Sequence, residues 1–241
     1  MTMFIFSATN DGKKMNMVPI SMPKVLKNLV EVGNRLEQLG LTKDQLEEVV
    51  DAMVAARADC TDNDPPGARG WSAWRMGTRR LREILLSVEG WEKDDSDQIS
   101  SVMNRQLGIR IAVSNTDDGT GVDENDRYPQ NRSRKGAATD GAIQRNQGSF
   151  LAVLDASLNV VQMRLRSPSP LIVTWYLCVY CEGDEFRAEL ACPSAVEGGF
   201  FSDFKERIFL GSSDDGKGKF ERLEDGDETP EFEIQVTRKK N

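Results

Sequence analysis

The sequence predicts an α+β fold: an N-terminal three-helix segment followed by a mostly antiparallel β-sheet domain. Three observations carry this. Apolar residues recur at helical spacing, with helix-capping signals, as far as Gly90. After Trp91 the pattern changes to strand-like alternation. Two long alternating runs then meet at Gly183-Asp184, a two-residue hairpin turn. The expected division is residues 1–90 as the helical segment and 91–241 as the β-rich domain, which carries a long polar loop over 115–138.

The first expected helix spans residues 23–39. Pro23 suits a first turn, Leu26, Leu29, Val30, Gly33 and Leu36 share a face, and Gly40 suits the left-handed residue after a helix end. A second helix follows at once, because Thr42 and Gln45 form the T-x-x-Q capping box ahead of Leu46, Val49, Val50, Met53 and Val54. The short link at Gly40-Leu41 implies an antiparallel helical hairpin. Asp62-Asn63-Asp64-Pro65-Pro66-Gly67 ends it. A third helix is expected over 72–88, with Trp74, Thr78, Leu81, Leu85 and Val88 on its apolar face.

Strands are expected at 98–104 and 108–114, and the second alternates Ile109, Ile111, Val113 against Arg110, Ala112, Ser114. Residues 115–138 hold almost no apolar side chains and read as a long exposed loop, of the kind that is functional or disordered. A short helix over 139–147 is followed by an expected hairpin of 150–155 with 160–165. The clearest hairpin pairs 171–182 with 185–192, so that Glu182 faces Glu185 and Cys178 faces Glu189. One of its faces (Val173, Trp175, Leu177, Val179, Cys181, Phe186, Ala188, Leu190, Cys192) is expected in the core. The other (Thr174, Tyr176, Cys178, Tyr180, Glu182, Glu185, Arg187, Glu189, Ala191) is expected to be half-exposed and polar. Further strands are expected at 205–210, 219–223 and 231–237.

With 241 residues, the chain can bury a core without disulfide or metal staples. No run approaches the roughly 18 apolar residues of a membrane span, and the apolar opening over 1–7 lacks the basic start of a secretory signal. The expected setting is cytoplasmic, in a bacterial or phage context. Net charge is −8, with the acidic excess in residues 182–241, so no global basic footprint for nucleic acid exists. There are no histidines. That excludes Ser-His-Asp and Cys-His catalysis and every His-ligated metal. Neither a phosphate-binding P-loop nor a dinucleotide-binding glycine fingerprint occurs, and no cofactor is expected.

Cys178 and Cys181 form C-x-x-C, and Cys60 and Cys192 complete four thiols. Residues three apart on a strand point to opposite faces, so the pair reads as packing, with no metal assigned. Acidic and glycine residues over 115–126 do not match the spacing of a helix–loop–helix calcium site.

Two basic surfaces stand out as candidate sites for nucleic acid or a partner. The third helix and its lead-in carry Arg69, Arg75, Arg79, Arg80 and Arg82, and Arg75, Arg79 and Arg82 share a stripe. The 115–138 loop carries Arg127, Arg132, Arg134 and Lys135 beside Tyr128. Such residues track phosphates, dock an acidic partner, or form a solvated face with internal salt bridges. No catalytic residue is assigned. The expected role is a non-enzymatic binding or accessory subunit, acting through protein contacts and with nucleic acid as a second ligand class. The alternative is a metal-requiring, carboxylate-dependent phosphodiesterase or nuclease.

Overall fold

The computed structural model describes residues 22–124, 127–156 and 172–213. Among these residues the fold is α+β, with four helices and a seven-stranded mixed sheet. In chain order the elements are β1 (Lys24–Leu26), α1 (Leu29–Gln38), α2 (Lys43–Ala58), α3 (Ala68–Leu85), β2 (Trp91–Asp94), β3 (Ser101–Asn104), β4 (Ile109–Asn115), α4 (Ala137–Ala156), β5 (Val173–Glu182), β6 (Glu185–Glu197) and β7 (Phe200–Ser212). The sheet order is β1-β7-β6-β5-β4-β3-β2. β4 with β5, and β1 with β7, run parallel, and the other four pairings are antiparallel.

The local signals account for most helix ends. α1 begins later than expected because residues 24–26 pair along β7, burying Leu26, and Asn28 then accepts from the Val30 and Glu31 amides. α1 ends with Leu41 N–H donating to Leu36 O and Gly40 N–H to Glu37 O, both 2.9 Å. This closure needs a left-handed residue, and Gly40 sits at φ +68°. Arg35 clamps Glu206 bidentately at 2.8 and 2.7 Å, fastening α1 to β7. At α2 both halves of the Thr42–Gln45 capping box form. α3 starts a turn earlier than expected, at the left-handed Gly67. Its buried face is Ala73, Gly77, Thr78, Leu81 and Leu85, which leaves Trp74 and Val88 partly exposed.

Residues 150–155 are helical, not a strand. The reason lies in the sheet: parallel β4 and β5 cannot be joined by a tight turn and need a crossover, and α4 lies on that connection. The proposed partner strand at 160–165, and the strands at 219–223 and 231–237, lie outside the described residues. The 205–210 strand is the middle of β7. The β5–β6 register is as read, with Glu182 opposite Glu185, Cys181 opposite Phe186 and Cys178 opposite Glu189.

The sheet is covered on both faces. α1, α2 and α3 pack on one, where Leu36, Leu46, Met53, Leu81 and Leu85 meet Ile111, Leu177, Leu190 and Ile208 in a continuous apolar cluster. The opposite face was expected to be half-exposed, but Thr174, Tyr176, Cys178, Tyr180, Glu189 and Ala191 are buried on it. α4 and the described residues of 116–124 and 127–136 lie across it, and Ala142, Ile143, Tyr176, Phe201 and Phe204 form a second cluster. Tyr176 and Phe201 tilt against each other at 4.9 Å, and Phe204 meets Phe201 edge-on at 6.0 Å. Such pairs contribute about 0.5–1.5 kcal/mol beyond their buried area.

The polar segment after β4 is folded onto the sheet. Thr116 bridges Asn131, Asp117 accepts from the Gly119 and Gln130 amides, and Thr120 donates to the Thr116 hydroxyl. Asn131 donates to Ser133 O and Gly199 O and accepts from the Phe201 amide, at 2.6, 2.9 and 2.9 Å. Thr116, Thr120 and Asn131 are buried. A segment rich in Asp, Asn and Gly is held here because its polar groups bond inward to backbone, as buried polar groups must.

All four cysteines are free thiols. Cys178 packs in the second cluster and Cys192 in the first, so the hairpin sends them to opposite faces. Burial pushes the Cys178 thiol well up and the Cys192 thiol up to about 12. Mild alkylation of native protein at pH 8 is therefore expected to spare both. For Cys192 the rise from 9.0 implies a roughly thousandfold lower thiolate fraction. Mass spectrometry of labelled peptides checks this, and labelling of Cys192 as fast as in urea would contradict it.

Candidate functional site

β4 ends at Ser114 and Asn115, beside its parallel neighbour β5. The start of α3 crosses this end, and Asn115 Nδ2 donates to Gly70 O at 2.7 Å. The chain leaves β4 at Thr116, folds over the sheet and returns alongside at Arg132–Gly136. Between the start of α3, this returning segment and residues 98–100 lies a cleft of about 750 Å³.

Five cations line the cleft: Arg57 from the end of α2, Arg69 from the first turn of α3, and Arg132, Arg134 and Lys135 from the returning segment. Among the described residues no Asp or Glu lines it. Three aromatic residues do: Trp71, Trp74 and the floor residue Tyr176. Trp71 is 60% exposed and Trp74 37%. The left-handed Gly67 stands at the N-terminus of α3 with no side-chain cap, so that end adds its positive dipole to the same rim.

The cations differ in how far they are committed. Arg132 pairs with Glu182 at 2.8 Å, donates to Thr116 O and lies over the Tyr180 ring. Arg69 pairs with the exposed Asp62. Arg57 and Arg134 form no ion pair among the described residues, and Arg134 rests over the Phe200 ring at 5.8 Å. Lys135 is placed by its backbone N–H, which donates to Gly199 O. Its Nζ lies 5.6 Å from the Tyr176 ring centre and 5.9 Å from that of Phe201, and it forms no ion pair among the described residues. Burial lowers its pKa from the ordinary lysine value. An ammonium that is desolvated and held only by ring faces gains strongly from an incoming anion. The Tyr176 hydroxyl lies near Thr139 but makes no hydrogen bond of ordinary geometry.

The rim carries strain. Asp97 and Gln98 both sit at φ +58°, and Gln98 lines the cleft. The Asp97 carboxylate holds Arg145 at 2.7 Å and the buried Arg110 at 3.3 Å, and Arg110 also reaches Asp94 at 2.8 Å. Two left-handed non-glycine residues cost about 1–3 kcal/mol each, which this charge network offsets.

The basic residues singled out from the sequence therefore separate. Arg69, Arg132, Arg134 and Lys135 line the cleft. Arg75 stands beside it, its guanidinium 5.3 Å from the Trp71 ring centre. Arg79 pairs with Glu83, Arg80 with Glu48 and Glu83, and Arg82 with Asp95, all away from the cleft lining. Hydrogen bonds from Arg79 and Arg80 hold the Glu83 carboxyl below its ordinary range. Arg127 pairs with Asp118 at 2.5 Å on the outer side of the folded loop. Sequence reasoning missed Arg57 and both tryptophans as site residues. Trp71 and Trp74, three apart next to Arg75, were the available signal.

Among the described residues no group of three or more Cys, Asp or Glu could hold a metal ion. No described helix is long and apolar enough to cross a membrane. Comparison with known proteins finds no matching family model, no matching curated protein and no matching solved structure.

Proposed function

We propose that this chain is a non-enzymatic accessory protein whose cleft binds nucleic acid. The observation that carries the reading is the convergence of five cations on a cleft that no carboxylate lines among the described residues. Among the described residues Arg57, Arg134 and Lys135 form no ion pair, so a phosphate gains their attraction without displacing a carboxylate. Arg79, Arg80 and Arg82 would have to release carboxylates first. On this reading the chain holds and positions a strand, and any chemistry on that strand belongs to a protein partner.

Fluorescence anisotropy with a labelled oligonucleotide over a salt series tests this. Arg134→Gln with Lys135→Gln is expected to weaken binding about tenfold or more near 0.1 M salt. The double change should also reduce the slope of log K against log salt by roughly 1.4, the value for two lost phosphate contacts on a single strand. Arg79→Gln with Arg80→Gln is expected to change affinity by less than about twofold. The reverse ranking, with equal thermal stability of both variants, would overturn the assignment to this cleft.

A further inference from the structure

Resting on that reading, we infer that the ligand is single-stranded, with successive bases stacked on Trp71 and Trp74. Tryptophan is normally highly buried, yet Trp71 is 60% exposed and Trp74 37% exposed, and both lie in the wall of a cleft that also holds five cations. They are three residues apart on α3, so they are neighbours on one helical face, with Cβ atoms about 5–6 Å apart. That spacing suits one base per indole along an extended strand. The Arg75 guanidinium over Trp71 braces that ring from its own helix, and Arg75 forms no ion pair among the described residues.

The chemistry of the cleft distinguishes ligand classes. A duplex keeps its base faces inside the stack and offers backbone and groove edges. It would use the cations and leave both indoles exposed to water. Heparin and an acidic peptide would do the same. A single strand uses both features at once: phosphates meet Arg57, Arg134 and Lys135, while base faces cover the indoles. Base–aromatic stacking tolerates any base, so the structure assigns strand state rather than sequence.

The test uses the full chain. Tryptophan emission is followed while a single-stranded oligonucleotide of about 12 residues, its duplex, heparin and polyglutamate are titrated separately. Trp91 and Trp175 are buried in the core, so they give a constant background. The single strand is expected to quench emission and to bind at least about tenfold more tightly than the duplex. Trp71→Ala should weaken single-strand binding roughly 5- to 150-fold, the range for loss of one base stack, and leave duplex and heparin affinities unchanged. Trp71→Phe should restore part of the loss. Because Trp71 is mostly exposed, a melting temperature within a few degrees of the parent is expected for both variants.

Equal affinity for strand and duplex, or a Trp71→Ala effect of the same size on every ligand, overturns the single-strand inference and leaves nucleic-acid binding standing. Binding of polyglutamate but of no nucleic acid overturns both. If Trp71→Ala unfolds, the parent protein decides alone: quenching by duplex as strong as by single strand is the overturning result.

Discussion

Glu189→Ala is expected to destabilise the protein by about 3–5 kcal/mol, read as a fall in the midpoint of chemical denaturation. Glu189 is fully buried, and Arg207 grips it through two hydrogen bonds at 2.8 and 2.6 Å. The same guanidinium donates to Val122 O and Gly119 O, and Glu189 accepts from the Gly121 amide at 2.7 Å. The pair is thus the point where the polar segment is fastened to β6 and β7. Removing one partner leaves a buried charge uncompensated, which is the costly half of such a pair. Replacing both, as Glu189→Leu with Arg207→Met, should cost far less in global stability. The loop, however, would still lose its anchors, so amides at 119–122 should exchange with solvent much faster in both variants. A loss below about 1 kcal/mol for Glu189→Ala would mean that water reaches the carboxylate site and that the anchoring argument fails.

Asn146→Leu is expected to cost about 3 kcal/mol or more. Asn146 is buried on α4, where its amide donates to Thr174 O and Pro193 O, both at 2.9 Å, and accepts from the Thr174 N–H at 2.8 Å. One side chain therefore satisfies the first residues of β5 and the bend in β6. A leucine of similar size keeps the volume and leaves one N–H and two carbonyls without this partner, at about 1–3 kcal/mol for each group that stays dry. Gln144→Ala, exposed on the same helix, is expected to stay within about 0.5 kcal/mol of the parent. Equal melting temperatures for the two variants would show that α4 does not hold the sheet through this contact.

These two residues also mark where sequence reasoning stops. Glu189 alternates correctly along β6 and falls on the expected face, but the polarity of that face predicts half-exposure where the structure buries it. Polarity does not distinguish a side chain that meets water from one that meets an arginine beneath a folded loop. Asp117, Thr120 and Asn131 repeat the lesson: their composition reads as an exposed loop, and their hydrogen bonds turn inward. Residues 150–155 illustrate a second limit. A short apolar run fits a strand or a buried helix equally well, and the parallel β4–β5 pairing that requires a crossover is a long-range fact.

At particular caps and turns of α1, α2 and the β5–β6 hairpin, local information sufficed. The capping box at Thr42, the left-handed Gly40 and the Gly183-Asp184 turn depend on residues close together in the chain, and that turn sets the Cys178–Glu189 register, so all could be read along the chain. The cleft could be read only in part. Arg132, Arg134 and Lys135 drew attention as a basic run. Their company of Arg57, Trp71 and Trp74 comes from elements up to 78 residues away, brought together because α2 and α3 pack on one face of the sheet while the loop folds over the other. Secondary structure follows from short-range periodicity and capping. Burial of the second face and assembly of the binding surface depend on which distant segment covers the sheet, and no local pattern encodes that.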